Sequence, residues 1–174
     1  MTSTPEIQLR PWTTDDLNML QRTMGDPAMT EYLGGPESEE KLRERNQHYA
    51  AIGGTGKGRM FVITVDEEPA GTIGYWEHEA RDGMAWETGY SVLPEFQSQG
   101  VATSATNLII AETRNEKKHR WLHAYPRIDN AASIAISRKT GFELLGNFEY
   151  AYPPGNPITC NNWRFDLFGE DQGK

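Results

Sequence analysis

Apolar and polar positions alternate around Ile7 and Leu9, and this period of two predicts a first strand over residues 7–10. The period then lengthens: Leu17, Leu20 and Met24 recur at helical spacing. They follow Thr13-Thr14-Asp15-Asp16, where a hydroxyl caps the helix and acids suit its positive end. Gly25-Asp26-Pro27 stops that helix, Tyr32 to Pro36 make a turn, and a second, highly charged helix spans 37–51. Period two returns in strands over 60–65 and 71–77, joined through Asp66-Glu67-Glu68-Pro69. Arg81-Asp82-Gly83 reads as a hairpin turn into a strand over 84–92. A helix over 101–115 and a short strand over 121–125 follow. Asp129 or Asn130 caps another helix, which ends near Gly141. Strands over 142–150 and 162–168 flank a turn at Pro153-Pro154-Gly155-Asn156-Pro157. The order is β-α-α-β-β-β-α-β-α-β-β, and periodicity by itself gives one α/β or α+β domain over residues 1–174.

Composition narrows the function classes. The formal charge of −8 disfavours nucleic acid, whose phosphates call for a basic surface. The same acidity suits cationic amine substrates, or serves solubility alone. No apolar run reaches the length of a membrane span, and Met1 to Glu6 lack the basic and apolar regions of a secretory signal. The lone Cys160 excludes an internal disulfide, fits a reducing cytoplasm and has no activating motif around it.

Two glycine-containing segments invite a phosphate. Gly53-Gly54-Thr55-Gly56-Lys57-Gly58 imitates a nucleotide-binding loop, but Ala51 stands where the first glycine is needed and Gly58 where Ser or Thr would meet magnesium. It reads as a connection. The second, Gln97-Ser98-Gln99-Gly100-Val101-Ala102-Thr103, lies between a strand and a helix. A turn that opens a helix directs backbone N–H groups and the positive dipole end at whatever sits above it, which suits a pyrophosphate without a metal.

Gln97-x-x-Gly100-x-Ala102 after a strand ending Val92-Leu93-Pro94 resembles the acetyl-CoA loop of the GNAT superfamily of N-acetyltransferases. Asn130-Ala131-Ala132-Ser133 and Arg138-Lys139-Thr140-Gly141-Phe142 resemble its second signature. Ile7-Gln8-Leu9-Arg10-Pro11-Trp12 with Asp15-Asp16-Leu17 is similar to the start of the RimJ/RimL-like branch, which acetylates protein N-termini and various small amines. The resemblance implies a GNAT fold, a twisted mixed, mostly antiparallel sheet of about seven strands with helices on both faces. It implies acetyl-CoA as co-substrate, held at Gln97, Ser98, Gln99, Gly100, Val101, Ala102 and Thr103. Ser91 and Val92 would pair with the pantetheine arm as an added strand, and Asn130 would contact that arm as well as cap its helix.

The same resemblance places Glu87, before Gly89-Tyr90, as the group that takes the amine proton, ahead of Glu77, His78 and His123. Many members carry a tyrosine seven residues after the motif asparagine, where this chain has Ser137; Ser133 is then the candidate proton donor to the leaving thiolate. No metal is expected, and His119 with His123 is not read as a metal pair. Trp12, Tyr32, Tyr75, Trp76, Trp86 and Tyr90 are candidates for an acceptor pocket or for packing, and residues 152–160 for acceptor choice. The expected activity is direct attack of a primary amine, on a small cationic molecule or a peptide N-terminus, by a cytoplasmic monomer or homodimer without a membrane or nucleic-acid partner. A non-catalytic acyl-CoA-binding module is the alternative.

Overall fold

The computed structural model describes residues 3–152 and 154–169. Met1, Thr2, residues 170–174 and Pro153, the first proline assigned to the late turn, lie outside the described residues. One sheet of seven strands organises the chain, in the order β1-β2-β3-β4-β5-β7-β6. The strands are β1 (Ile7–Pro11), β2 (Gly58–Val65), β3 (Glu68–Ala80), β4 (Gly83–Val92), β5 (Trp121–Ala124), β6 (Glu143–Ala151) and β7 (Pro157–Asp166). The helices are α1 (Leu17–Thr23), α2 (Glu39–Ile52), α3 (Val101–Glu116) and α4 (Ala131–Lys139).

The near-continuous apolar run of β2 has a simple cause: both faces of that strand are covered. Phe61, Ile63 and Val65 join Ile73, Tyr75, Trp86 and the α3 residues Ala105 and Ile109 in one core. Met60 and Val62 point the other way, to Trp12, Leu20 and Leu42 beside α1 and α2. Strand alternation thus sends successive side chains into two different cores. Each fully buried Leu, Ile or Phe among them contributes about 1.5–3 kcal/mol.

Local signals act as expected at the helix starts. Asp16 Oδ2 accepts the Thr13 backbone N–H at 2.8 Å, and the Thr13 hydroxyl accepts the Asp15 N–H, closing a capping box over a short 3₁₀ turn, Thr14–Asp16. Ser38 caps α2, so that helix begins at Glu39, two residues later than its charge pattern suggests. The segment 53–58 is the turn between α2 and β2, with Lys118 Nζ donating to the Gly56 carbonyl at 2.8 Å. Its last glycine has a packing reason: at Gly58, φ is +147° and a Cβ would stand 2.3 Å from the Tyr75 carbonyl oxygen.

The last strand differs from the sequence expectation. β7 runs Pro157–Asp166, not 162–168, because it pairs with β6 from Ala151↔Pro157 onward. The Tyr152 N–H donates to the Asn156 carbonyl and closes the turn tightly, while Leu167 and Phe168 fall after the strand.

Every neighbouring pair is antiparallel except β4 and β5. That parallel pair is in register only at Trp86↔Leu122 and Glu87↔His123. Beyond Glu87 the strands part, and the C-terminal half of β4 has no strand neighbour on that side. The sheet is therefore split at its middle.

Candidate active site

The split opens a cleft of about 1110 Å³, lined by Glu87, Gly89, Tyr90 and Ser91 from β4 and by Asn130, Ser133 and Ser137 from α4 with its cap. His78, His123 and Tyr125 line it beside Glu87. Residues 97–103 do not line the cleft; they leave the end of β4 and start α3.

The 97–103 loop is set by its own side chains. Gln97 Nε2 donates to the Val92 carbonyl at 2.9 Å, and Gln99 Nε2 donates to the Glu95 carbonyl at 3.0 Å. Both glutamines thereby hold the loop, and Val101 is buried in the core. The backbone is what faces outward. Ser98 and Gly100 have φ of 61° and 78°, left-handed turns that converge successive amides. Among the described residues, the amides of Ser98 to Thr103 have no protein acceptor, and no side chain caps α3. A Cβ at Gly100 would meet nothing within 4 Å, so glycine is needed there for its φ and not for room within the protein. Six free donors at the positive end of a helix fit a pyrophosphate.

Ser91 and Val92 share the unpaired half of β4 but not the same surroundings. Ser91 lines the cleft, whereas Val92 is buried and its carbonyl already accepts from Gln97.

Glu87 sits at the last point of β4–β5 contact, half-buried. Burial pushes its carboxyl up to about 7, against a hydrogen bond from Trp76. His78 Nδ1 is 3.5 Å from Glu87 Oε2, and burial lowers the histidine's own pKa. Strand parity separates Glu77 from this group. Glu77 pairs with Trp86 and points to the opposite face, where Lys118 Nζ at 2.6 Å and His119 Nε2 at 2.9 Å hold its carboxyl below the usual range. His119 therefore belongs to Glu77, and His123 Nδ1 is bonded to Asn162 Oδ1 at 2.8 Å. Among the described residues no three His, Cys, Asp or Glu side chains form a metal-binding group.

The Ser133 hydroxyl accepts from the Tyr90 hydroxyl at 3.1 Å, which leaves its own proton free to donate onward. The Ser133 N–H donates to Asn130 Oδ1 at 3.2 Å, so Asn130 is the cap of α4 and also lines the cleft. Cys160 is buried, which pushes its thiol up and keeps it protonated.

Of the aromatic candidates, Tyr32, Trp76 and Tyr90 line the cleft. Trp12, Tyr75 and Trp86 are core residues: Tyr75 and Trp86 are fully buried edge to face at 5.0 Å, and Trp12 Nε1 donates to Asn46 Oδ1 at 2.8 Å. Sequence reasoning missed Tyr49, Tyr125, Phe148 and Tyr150, which also line it. Period two at Phe148, Tyr150 and Tyr152 was the available signal for the β6 rings.

A strand split beside an uncapped helix start, with a carboxyl at the split, agrees with the outcome of comparison with known families. Residues 6–143 match the family described as acetyltransferase (GNAT) domain. This chain belongs to the GNAT acetyltransferase family. Members of that family take the acetyl group from acetyl-CoA. A relative, the ribosomal-protein-serine acetyltransferase of Escherichia coli (strain K12), is 28% identical over 115 residues, 66% of this chain and 64% of its own length. The match thus spans less than two thirds of that relative. Among solved structures, an acetyltransferase from Salmonella typhimurium that modifies the N-terminal serine of ribosomal protein L7/L12 superposes with a TM-score of 0.79 at 23% identity, covering 94% of this chain and 96% of its own. A ribosomal L7/L12 alpha-N-protein acetyltransferase solved with coenzyme A gives the same TM-score of 0.79 and 23% identity, covering 95% and 96%. These GNAT structures share the seven-stranded mixed sheet and flanking helices as a fold.

Proposed function

We propose that this chain moves an acetyl group from acetyl-CoA to a primary amine, on a peptide N-terminus or a small cationic molecule, by direct attack within a ternary complex. The observation that carries this reading is the position of Glu87: a half-buried carboxyl raised to about 7, where the unpaired half of β4 begins. A carboxyl in that range is ionised enough near neutrality to accept a proton and basic enough to hold one. The resemblance to enzymes that modify ribosomal-protein N-termini supports the peptide acceptor; the acidic charge supports the cationic one.

The residues divide the work. The amides of Ser98 to Thr103 hold the pyrophosphate and the free edge at Ser91 orients the pantetheine arm, with Asn130 beside it. Glu87 takes a proton from the substrate ammonium, and the neutral amine so formed attacks the acetyl carbonyl carbon. As the tetrahedral centre collapses, the C–S bond breaks, Ser133 gives its hydroxyl proton to the thiolate while Tyr90 donates to the serine oxygen, and the second proton of the acylated nitrogen restores the serine hydroxyl. Cys160 lines the cleft but is buried, and burial raises its thiol pKa, which disfavours it as an acyl acceptor.

The test is acetyl-CoA-dependent thiol release against pooled amines (N-terminal peptides, aminoglycosides, polyamines, amino acids) with a hydrolysis blank. Release above blank that disappears in Glu87→Gln supports the reading. Calorimetric binding of acetyl-CoA without release from any pool favours a binding module instead.

A further inference from the structure

The acceptor half of the cleft carries a feature that acetyl transfer does not itself use: rings in series, leading away from Glu87. His78 and Tyr125 meet at 5.2 Å, and His123 stacks on Tyr125 at 5.5 Å with 17° between planes. Phe148 meets Tyr125 edge-on at 5.2 Å, Tyr150 follows at 6.4 Å, and Tyr152 stacks on Tyr150 at 6.2 Å. Phe148 and Tyr150 share parity on β6 and Tyr152 continues it, so alternation turns all three towards the cleft, which they line.

The row starts at the reacting position, because His78, which meets Tyr125 at 5.2 Å, stands 3.5 Å from the Glu87 carboxylate. It ends in the open: Tyr150 is 53% exposed on a cleft wall. Exposed ring faces contiguous with a reaction centre mark a binding surface. Of the cleft arginines near the row, Arg45 pairs with Glu37 and Arg127 with Asp129, while Arg164 lies over the Trp121 ring at 3.7 Å. Glu79 and Asp82, the other cleft carboxylates, belong to the β3–β4 hairpin and not to this row. A polycation would need anions spaced along β6; β6 offers aromatic faces at those positions.

We infer that the acceptor amine carries an aromatic ring or a comparable flat apolar group, which lies along Phe148, Tyr150 and Tyr152 while its nitrogen stands at Glu87. The inference rests on the acetyl-transfer reading above. Edge and stacking contacts favour a ring there, and the ring faces also favour the neighbouring ammonium.

Phenylalanine amide and alanine amide are the probes. Turnover is measured as kcat/KM for acetyl-CoA-dependent thiol release. Binding is measured separately by calorimetry on Glu87→Gln protein with CoA present. Both are repeated in Tyr150→Ser/Tyr152→Ser, with circular dichroism to show an unchanged fold. Phenylalanine amide is expected to be preferred about tenfold in both readouts, and the double variant to bring the two amides within about twofold. Equal treatment of the amides by the parent protein, or a preference that survives loss of both tyrosines, overturns the inference. Preferential binding without turnover upholds it and refutes acetyl transfer. Turnover without preference upholds acetyl transfer and refutes it.

Discussion

His78 Nδ1 stands 3.5 Å from Glu87 Oε2, on the strand next to the one that carries the carboxylate. The imidazole meets the Tyr125 ring at 5.2 Å and lies against one side of the Glu87 carboxylate. Replacing it with alanine lets water reach the carboxylate and favours its charged form. The kcat/KM pH profile of His78→Ala is therefore expected to move its midpoint down from about 7 towards the ordinary carboxylate range. An unmoved midpoint would mean that His78 does not set the Glu87 environment.

A carboxyl accepts a proton only when ionised, so with Glu87 as the proposed base kcat/KM is expected to rise with pH through about 7 and then level. Glu87→Gln is expected to lose that dependence and to lower kcat by roughly 10²–10⁴-fold. Acetyl-CoA affinity, read by calorimetry, should change little.

The same raised pKa has a consequence for stability, with the opposite sign to an ion-paired acid. Between about 4.5 and 7 the unfolded chain has released the Glu87 proton while the folded chain still holds it. The folded state then binds more protons, so stability falls as pH rises through that window. Relative to Glu87→Gln, the parent protein should lose on the order of 3 kcal/mol from the acid to the alkaline end. Urea titrations of both proteins at several pH values measure this, and a constant difference between them would refute it.

Gly100→Val forces a β-branched residue into φ +78° and moves the amides around it. The strain is about 1–2 kcal/mol, and acetyl-CoA affinity should fall more than about tenfold for that loss plus misaligned donors. Full affinity would place the pyrophosphate elsewhere.

Ser133→Ala removes the hydroxyl that accepts from Tyr90 and leaves the backbone N–H bonded to Asn130. Turnover should drop by about 10²-fold with an unchanged KM for acetyl-CoA. A thiol leaving group of higher pKa should enlarge the defect if the serine serves the thiolate.

Much of this fold is legible in the sequence. The two-residue period of β2 to β4, the cap at Thr13 and the Gly100 turn are local effects, and they formed where their chemistry put them. Parity along β3 even suffices to send Glu77 and His78 to opposite faces. The cleft itself had no local signature. It arises because β5 is four residues long and registers with β4 at only two positions, a property of pairing between distant segments. The onset of β7 was misplaced for a similar reason: Pro157 and Ile158 look like loop until β6 supplies their partners. The loop is read as holding a pyrophosphate mostly through backbone amides, and a sequence does not show that the Gln97 and Gln99 side chains reach the Val92 and Glu95 carbonyls.

The split sheet divides the cleft by origin as well as by position. On the proposed reading, the groups that serve acetyl transfer lie between Glu87 and Ser133, a stretch that also supplies His123 and Tyr125 to the acceptor side, while two outlying stretches, around Tyr32 to Tyr49 and Phe148 to Asn162, add to the wall facing the amine. Substitutions in the two outlying stretches can change which amine is chosen without disturbing delivery. A lineage built on this plan can acquire a new substrate by altering its flanks while its centre stays as it is.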